Sequence, residues 1–440
     1  MRKITFLFLF LAAAFTVNAQ LTLTGEYRPR TEFLHGYKAP MANQGEMFSL
    51  STTQRARLGI FYKADKFKFG LQFQDVRAWG STKQLVAGDG AFTTIHQAWG
   101  EVLFSENLAL KVGRQELVYD DSRILGNVGW AQQARSHDLA LLKYEKKGEF
   151  KLHFGAAVNQ VQTRPYNTAG NYKSMQFLWF NKKFGDNYTL SILALNNGLN
   201  DTTLNNTAGQ AMTTFSQIIG QRSVYKAGKL SIGFNFYYQM GNSTQTYFDK
   251  ADQLNYHKKV GAMNLRLDVG YKVTDNLKAT IGFEMLTGNS QTDTTAEYSQ
   301  TNHAFTPLYG TNHKFNGWMD YFYVGNHVNS VGLNDLYLQL DYSKDKFLAG
   351  AHFHYFMANA DVLDMDEFIA NGTYTAMSAG LGMELDTYVG YKYSKGVTFK
   401  AGVSGMFDSA TMRALKGGAY GASNYWGWVM LVIKPTFLNK

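Results

Sequence analysis

Glu26, Arg28, Arg30 and Glu32 occupy every second position of one short stretch, and Arg55, Arg57 and Lys63 repeat that spacing further on. In an extended chain, residues two apart lie about 6.8 Å apart on one face. Each stretch therefore presents a row of cationic side chains, the first with a carboxylate at either end. Such a row binds anions, because a guanidinium fork pairs with a carboxylate through two hydrogen bonds. Acids among the cations, here Glu26, Glu32 and Glu101, would keep any one anion from being held too tightly, as a conduit requires. Lys111, Arg123, Arg135, Glu384 and Asp386 join the candidates for contact with such a ligand.

Other constellations carry less. The chain has no phosphate-binding glycine loop, no H-E-x-x-H and no Gly-x-Ser-x-Gly elbow. His352 and His354 share one strand face but lack a third metal ligand nearby. Asp361, Asp364, Asp366 and Glu367 crowd one segment and could hold a hard cation such as Ca²⁺; a solvated acidic loop is the preferred reading. With no cysteine, disulfides, thiolate metal sites and a cysteine nucleophile are excluded. No catalytic residue, metal, cofactor or nucleic acid is expected.

The elements that position these residues follow from composition and period. The 440 residues include 27 Tyr, 32 Phe and 42 Gly against 5 Pro, a bias toward pleated strands and tight turns. No internal run reaches the roughly 18 apolar residues of a membrane helix. Leu230, Ile232, Phe234, Phe236 and Tyr238 alternate with small or polar residues, as do Met263, Leu265, Leu267, Val269 and Tyr271. About eighteen such segments run from 21–34 and 48–64 through 228–240 and 259–273 to 424–437. Their connections alternate between short turns such as Lys147-Gly148 and Gly185-Asp186 and long loops, the longest at 288–330.

This pattern predicts an all-β transmembrane antiparallel barrel with short periplasmic turns and long extracellular loops. A propeller or β-helix would need a repeat that the sequence lacks. An arginine at the bilayer midplane would cost about 2 to 4 kcal/mol, so the charged phase must face inward. About eighteen strands enclose too wide a lumen to fill with side chains, so a channel is expected. Pro29 and Pro435 fall in the first and last strands, where a bulge or strand end at the seam would accommodate them. Aromatic belts are expected from Tyr62, Trp99, Tyr144, Tyr188, Tyr271, Tyr342, Tyr391, Trp426 and Trp428. The aromatic segment 288–330 is expected to pack over or into the extracellular mouth.

Arg2 and Lys3, the apolar stretch Ile4 to Phe15 and Val17-Asn18-Ala19 read as an export signal over 1–19, leaving a barrel domain at 20–440 in the outer membrane. Losing Arg2 and Lys3 lowers the formal charge from +9 to about +7, an excess suited to an anionic partner.

Gly113-Arg114-Gln115-Glu116-Leu117, then Tyr119-Asp120-Asp121-Ser122-Arg123-Ile124-Leu125-Gly126, Trp130 and Arg135-Ser136-His137-Asp138 resemble the signature stretch of the alginate export family of outer-membrane porins. Gln72 to Gly80 and Gly382-Met383-Glu384-Leu385-Asp386 are similar to further family segments. The resemblance implies an eighteen-stranded monomeric porin with an Arg/Lys-rich constriction for an acidic polysaccharide, partly gated by loops. It makes Arg77, Arg114, Arg123 and Arg135 candidate basic groups, with Asp75, Asp121, Asp138 and Glu116 as pairing partners. Period-two phase puts Arg77 and Arg114 with lipid-facing neighbours, so they belong beyond the membrane band, in a bulge or in an inward loop. The terminal aromatic is Phe437, slightly displaced from the chain end. The expected function is passive passage of an anionic, alginate-like saccharide through the outer membrane, with lipid around the barrel and periplasmic secretion proteins as further partners. The alternatives are a porin for other solutes, a barrel-embedded hydrolase and a closed structural barrel.

Overall fold

A computed structural model describes residues 20–84, 93–160, 172–201 and 212–440; the expected export signal at 1–19 lies outside them. Every strand belongs to one 20-stranded sheet, in which Thr301–Asn302 and Thr436–Asn439 are short segments and the other eighteen form the wall. The first strand, Gln20–His35, pairs antiparallel with Ser49–Lys63 on one side and with Asn424–Ile433 on the other, which closes the barrel. Pro29 stays in register opposite Gln54. Pro435 interrupts the final strand, and Thr436–Asn439 resumes pairing with the first strand after a register shift at Leu23/Thr24. The start of the first strand meets the C-terminus there, where the Leu21 amide donates to the Lys440 carbonyl at 2.8 Å.

The barrel is inside-out relative to a soluble fold. Leu267, Ile281, Leu338, Val389 and Val429 are exposed, whereas Asn235, Asn264, Glu284, Asp335, Glu384 and Asp386 are buried. Alternation along each strand produces both faces at once. Tyr62, Tyr144, Tyr188, Tyr271, Tyr342 and Tyr391 take the outer face near the short turns, most of them packed on a neighbouring phenylalanine. Trp99, Trp426 and Trp428 correct the expected belt: they point into the lumen. Trp426 and Trp428 share the phase of Asn424 and Met430, while Tyr425, Gly427 and Val429 take the outer one. Trp99 shares the face of Glu101, below an irregularity between Gln72 and Phe73 that resets the register.

The strands expected at 228–240 and 259–273 are longer. Leu230–Asp249 and Leu254–Lys272 continue past Gly241 (φ 103°) and pair Tyr247 with Tyr256. Membrane strands need only about 9–11 residues, so this hairpin rises above the bilayer. Its upper part stands in water, and without a lipid face it has no apolar alternation to reveal it.

Two long connections leave the rim and run into the barrel. One follows Leu108–Gln115 and returns at His137–Lys146; the other joins Leu277–Leu286 to Leu333–Lys344 and contains the expected segment 288–330. The second goes into the lumen rather than over it.

Candidate functional site

The first inward connection turns sharply because Asp120, Ser122, Val128 and Ala134 all have positive φ, between 51° and 69°. For β-branched Val128 this conformation is strained, and surrounding contacts hold it. The Val128 amide donates to Thr311 Oγ1 at 3.1 Å. Leu125 and Tyr309 form a parallel bridge, the Gly126 amide donates to the Tyr309 carbonyl at 2.9 Å, and the Thr311 amide donates to Ser122 at 2.8 Å. Leu117, Ile124, Leu125, Phe305, Met319 and Tyr321 are buried in one apolar cluster. The two connections thus form a single plug, whose apolar cluster runs on into the wall through Leu139, Met175 and Phe177.

One wall holds the plug through arginines. Arg28 donates to the carbonyls of Gly129 (2.7 Å) and Trp130 (2.9 Å) and to Gln132 Oε1 (2.9 Å). Arg30 donates to Trp130 O at 2.9 Å, pairs with Glu32 at 3.0 Å and lies over the Trp130 ring at 4.2 Å. Arg55 pairs with Glu26 at 2.6 Å and donates to Gln132 O at 3.2 Å. Arg57 donates to Gln74 Oε1 at 2.9 Å and lies 3.8 Å from Glu116.

A second stretch of wall, on Leu277–Leu286, Leu333–Lys344 and Gly380–Ser394, is acidic. Arg123, carried in by the plug, meets Glu284 at 2.8 Å and donates to Asn316 Oδ1 at 3.1 Å. Asn316 donates in turn to Glu284 (2.9 Å) and Asp335 (3.2 Å). The amides of Met319 and Trp318 donate to Glu384 (2.8 Å) and Asp386 (3.3 Å). Gly317 packs so closely that an added Cβ would sit 2.6 Å from the Glu384 carboxylate. A third anchor is Asp121, which accepts from Arg222 and Asn235, both at 2.8 Å, and lies 3.5 Å from Arg266.

The candidate residues therefore fall into distinct places. Arg28, Arg30, Arg55, Arg57, Glu26 and Glu32 form one patch; Arg123 meets Glu284 elsewhere on the wall, and Glu384 and Asp386 hold the plug separately through the Met319 and Trp318 amides. Arg135 donates to Gly310 O at 3.2 Å, within the plug. Lys111 and Glu101 lie apart from both, toward the short turns. Arg77 pairs with Asp75 at 2.7 Å and Arg114 with Asp138 at 2.8 Å, on the outer face near the long-loop ends of their strands. Glu116 pairs with His96 at 2.7 Å and Asp121 with wall arginines, so neither partners the motif arginines directly.

His352 and His354 turn to separate carboxylates, Asp341 and Asp335. Asp364 caps helix Met365–Asn371, and Asp361 accepts from Thr292. Sequence reasoning missed Gln132, Lys314 and Asn316, which lie in irregular chain with no period to betray them. Arg222 was legible from the inward phase it shares with Val224 and Lys226. On the short-turn side of the plug, a cavity of about 720 Å³ is lined by Arg222, Lys226, Lys278, Lys314, Asp121 and Asp268, among others.

A family model described as alginate export matches residues 19–414. Among curated proteins no relative matches by sequence. Similar solved structures are outer-membrane Occ porins. Acinetobacter baumannii OccAB1 has a TM-score of 0.60 at 13% identity, covering 96% of this chain and 97% of its own. Pseudomonas aeruginosa OccK11 gives 0.56 at 10% over 96% and 97%. Pseudomonas aeruginosa OpdK, solved with vanillate, gives 0.55 at 10% over 96% and 99%.

Proposed function

The chain belongs to the alginate export family and is an outer-membrane channel, and from that premise we propose that it passes an anionic saccharide, alginate-like in chemistry, by diffusion and without an enzymatic step. The observation that carries this reading is the guanidinium patch of Arg28, Arg30 and Arg55, filled by the carbonyl oxygens of residues 129–132. Those oxygens occupy the positions that carboxylates of a passing chain would take once the plug tip shifts. Lys111, Arg123 and Arg135 extend the cationic path, and Glu26, Glu32, Glu101, Glu384 and Asp386 limit its grip. The cavity on the periplasmic side of the plug offers an anion Arg222, Lys226, Lys278 and Lys314, interleaved with Asp120, Asp121, Asp186 and Asp268 that limit its grip in the same way. One barrel suffices as the conducting unit, and any secretion partner would dock at the short-turn end.

A second reading, a porin for small organic acids, is favoured by the plug itself, because a polymer needs more plug movement than a small carboxylate such as the vanillate of OpdK. Planar-bilayer recording with acidic and neutral oligosaccharides of equal length, and with monomeric carboxylates, decides between them. Anion preference with block by acidic oligosaccharides supports the saccharide reading; block by monomers alone supports the second. A cation-selective channel overturns both.

A further inference from the structure

Of the 7 tryptophans, Trp79 is exposed at 59%, at the outer rim, while Trp99, Trp130, Trp179, Trp318, Trp426 and Trp428 lie on the lumenal side. Bilayer physics places indoles at the headgroups, so an inward set needs another cause. Trp130 and Trp318 belong to the plug, Trp426 and Trp428 pack against Trp130, and Trp179 packs against Tyr119 of the plug. Plug packing accounts for these five. Trp99 differs: its ring contacts are with wall residues, Phe61 and Lys111.

The Trp99 indole is built to lie flat on the wall. Gly70 stands opposite it in the ladder, and a Cβ there would sit 2.4 Å from the ring. Its Nε1 donates to Gln97 Oε1 at 3.2 Å, which fixes the ring's rotation. Over the free face hangs the Lys111 ammonium, 3.9 Å from the centroid. Nearby Glu101 pairs with Lys68 at 3.5 Å and with Lys143. Lys111 has no carboxylate within ion-pair distance among the described residues: Glu101 stands opposite it in the ladder but pairs with the other two lysines, and the close contact of the ammonium is with the ring.

We propose that Trp99 and Lys111 form a subsite for one carboxylate-bearing pyranose ring at the periplasmic mouth, a deepening that rests on the saccharide reading above. A pyranose presents an apolar C–H face and, in a uronate, a carboxylate at its edge. The indole supplies the flat apolar surface; the ammonium, resting on it in the empty channel, lifts to the carboxylate as the sugar takes its place. Glu101 keeps its ion pairs with Lys68 and Lys143, and Lys111 is the lysine of this group that is free to turn to the sugar.

The test uses the full-length protein in planar bilayers, with a uronate tetrasaccharide and a neutral tetrasaccharide added to either side. Trp99→Leu is expected to weaken block by both sugars about tenfold, more from the periplasmic side, since stacking ignores charge. Lys111→Gln is expected to bring acidic block down to the neutral level and leave neutral block unchanged. Gly70→Ala, which pushes the ring off the wall, should reproduce Trp99→Leu and stands in for it if that variant does not fold. Wild-type block by the uronate with Lys111→Gln and the ring variants indistinguishable from wild type overturns the subsite alone. Absence of block in wild type overturns the saccharide reading and the subsite with it.

Discussion

Arg123 and Glu284 meet at 2.8 Å where the plug touches the wall, the first on the plug and the second on the wall, each almost wholly buried. Removing one partner of a buried pair leaves an uncompensated charge and costs about 3–5 kcal/mol, whereas removing both costs far less. Arg123→Gln and Glu284→Gln should each loosen the plug, raising single-channel conductance and open-channel noise. The double variant should lie closer to wild type than the sum of the singles. Additive effects in that cycle would show that the pair does not hold the plug.

The arginine patch makes a separable prediction. Hydrogen bonds to charged groups are worth about 1.5–3 kcal/mol each, and Arg28, Arg30 and Arg55 spend theirs on the plug carbonyls. Replacing these three by Ser should free the tip around Trp130, raising conductance and lowering anion preference together. Arg57 reaches the plug less directly, through Glu116 at 3.8 Å and through Gln74, which accepts from it and donates to Gln133 O at 3.1 Å. Arg57→Ser should lower anion preference, read as reversal potential in a salt gradient, with conductance little changed.

The wall was legible because lipid and water impose opposite demands on alternate residues, and that demand is written along the membrane-spanning part of the strands. The charged phase followed from the same rule, so Arg28, Arg30, Arg55, Arg57 and Glu384 fell on the correct face. Which groups they face was not legible. The carbonyls of residues 129–132 carry no side-chain signature, and Asn316 and Gln132 act through contacts between parts of the chain far apart in sequence. The phase of Trp426 and Trp428 was available, but the general preference of indoles for headgroups argued the other way. The signature stretch from Gly113 to Asp138 stands out in sequence because it builds half of the plug.

Gly310 tests the seam between the two halves of the plug. A Cβ at this position would lie 2.1 Å from the Arg123 carbonyl oxygen, a backbone atom that cannot swing aside. Gly310→Ala should therefore separate the bridge between Leu125 and Tyr309 and disturb the Arg135 contact, while the wall stays intact. The expected result is unchanged heat-modifiable migration of the barrel with faster proteolysis at 119–135 and 303–322. Wild-type protease resistance at both segments would show that the halves do not depend on each other.

The extracellular part of the second connection should respond to acid. His327 ends the short helix Val324–His327, its Nε2–H donates to Gly332 O at 3.0 Å, and the ring packs edge-on against Phe322. Burial, helped by the charge of Lys416, pushes its pKa down to about 4 from the ordinary 6.5. A base whose folded pKa is depressed stabilises the fold fully above its unfolded pKa and loses that contribution as pH falls through the interval toward the folded value. Lys416, which donates to Asn326 O at 2.6 Å and is itself pushed down to about 8 by burial, stays protonated across this interval. Hydrogen exchange over 320–332 should therefore speed up between about pH 6.5 and 4 beyond the intrinsic pH trend. In His327→Asn, which keeps a donor but does not titrate, the excess should vanish. Equal pH profiles for the two proteins would assign the acid response to other groups.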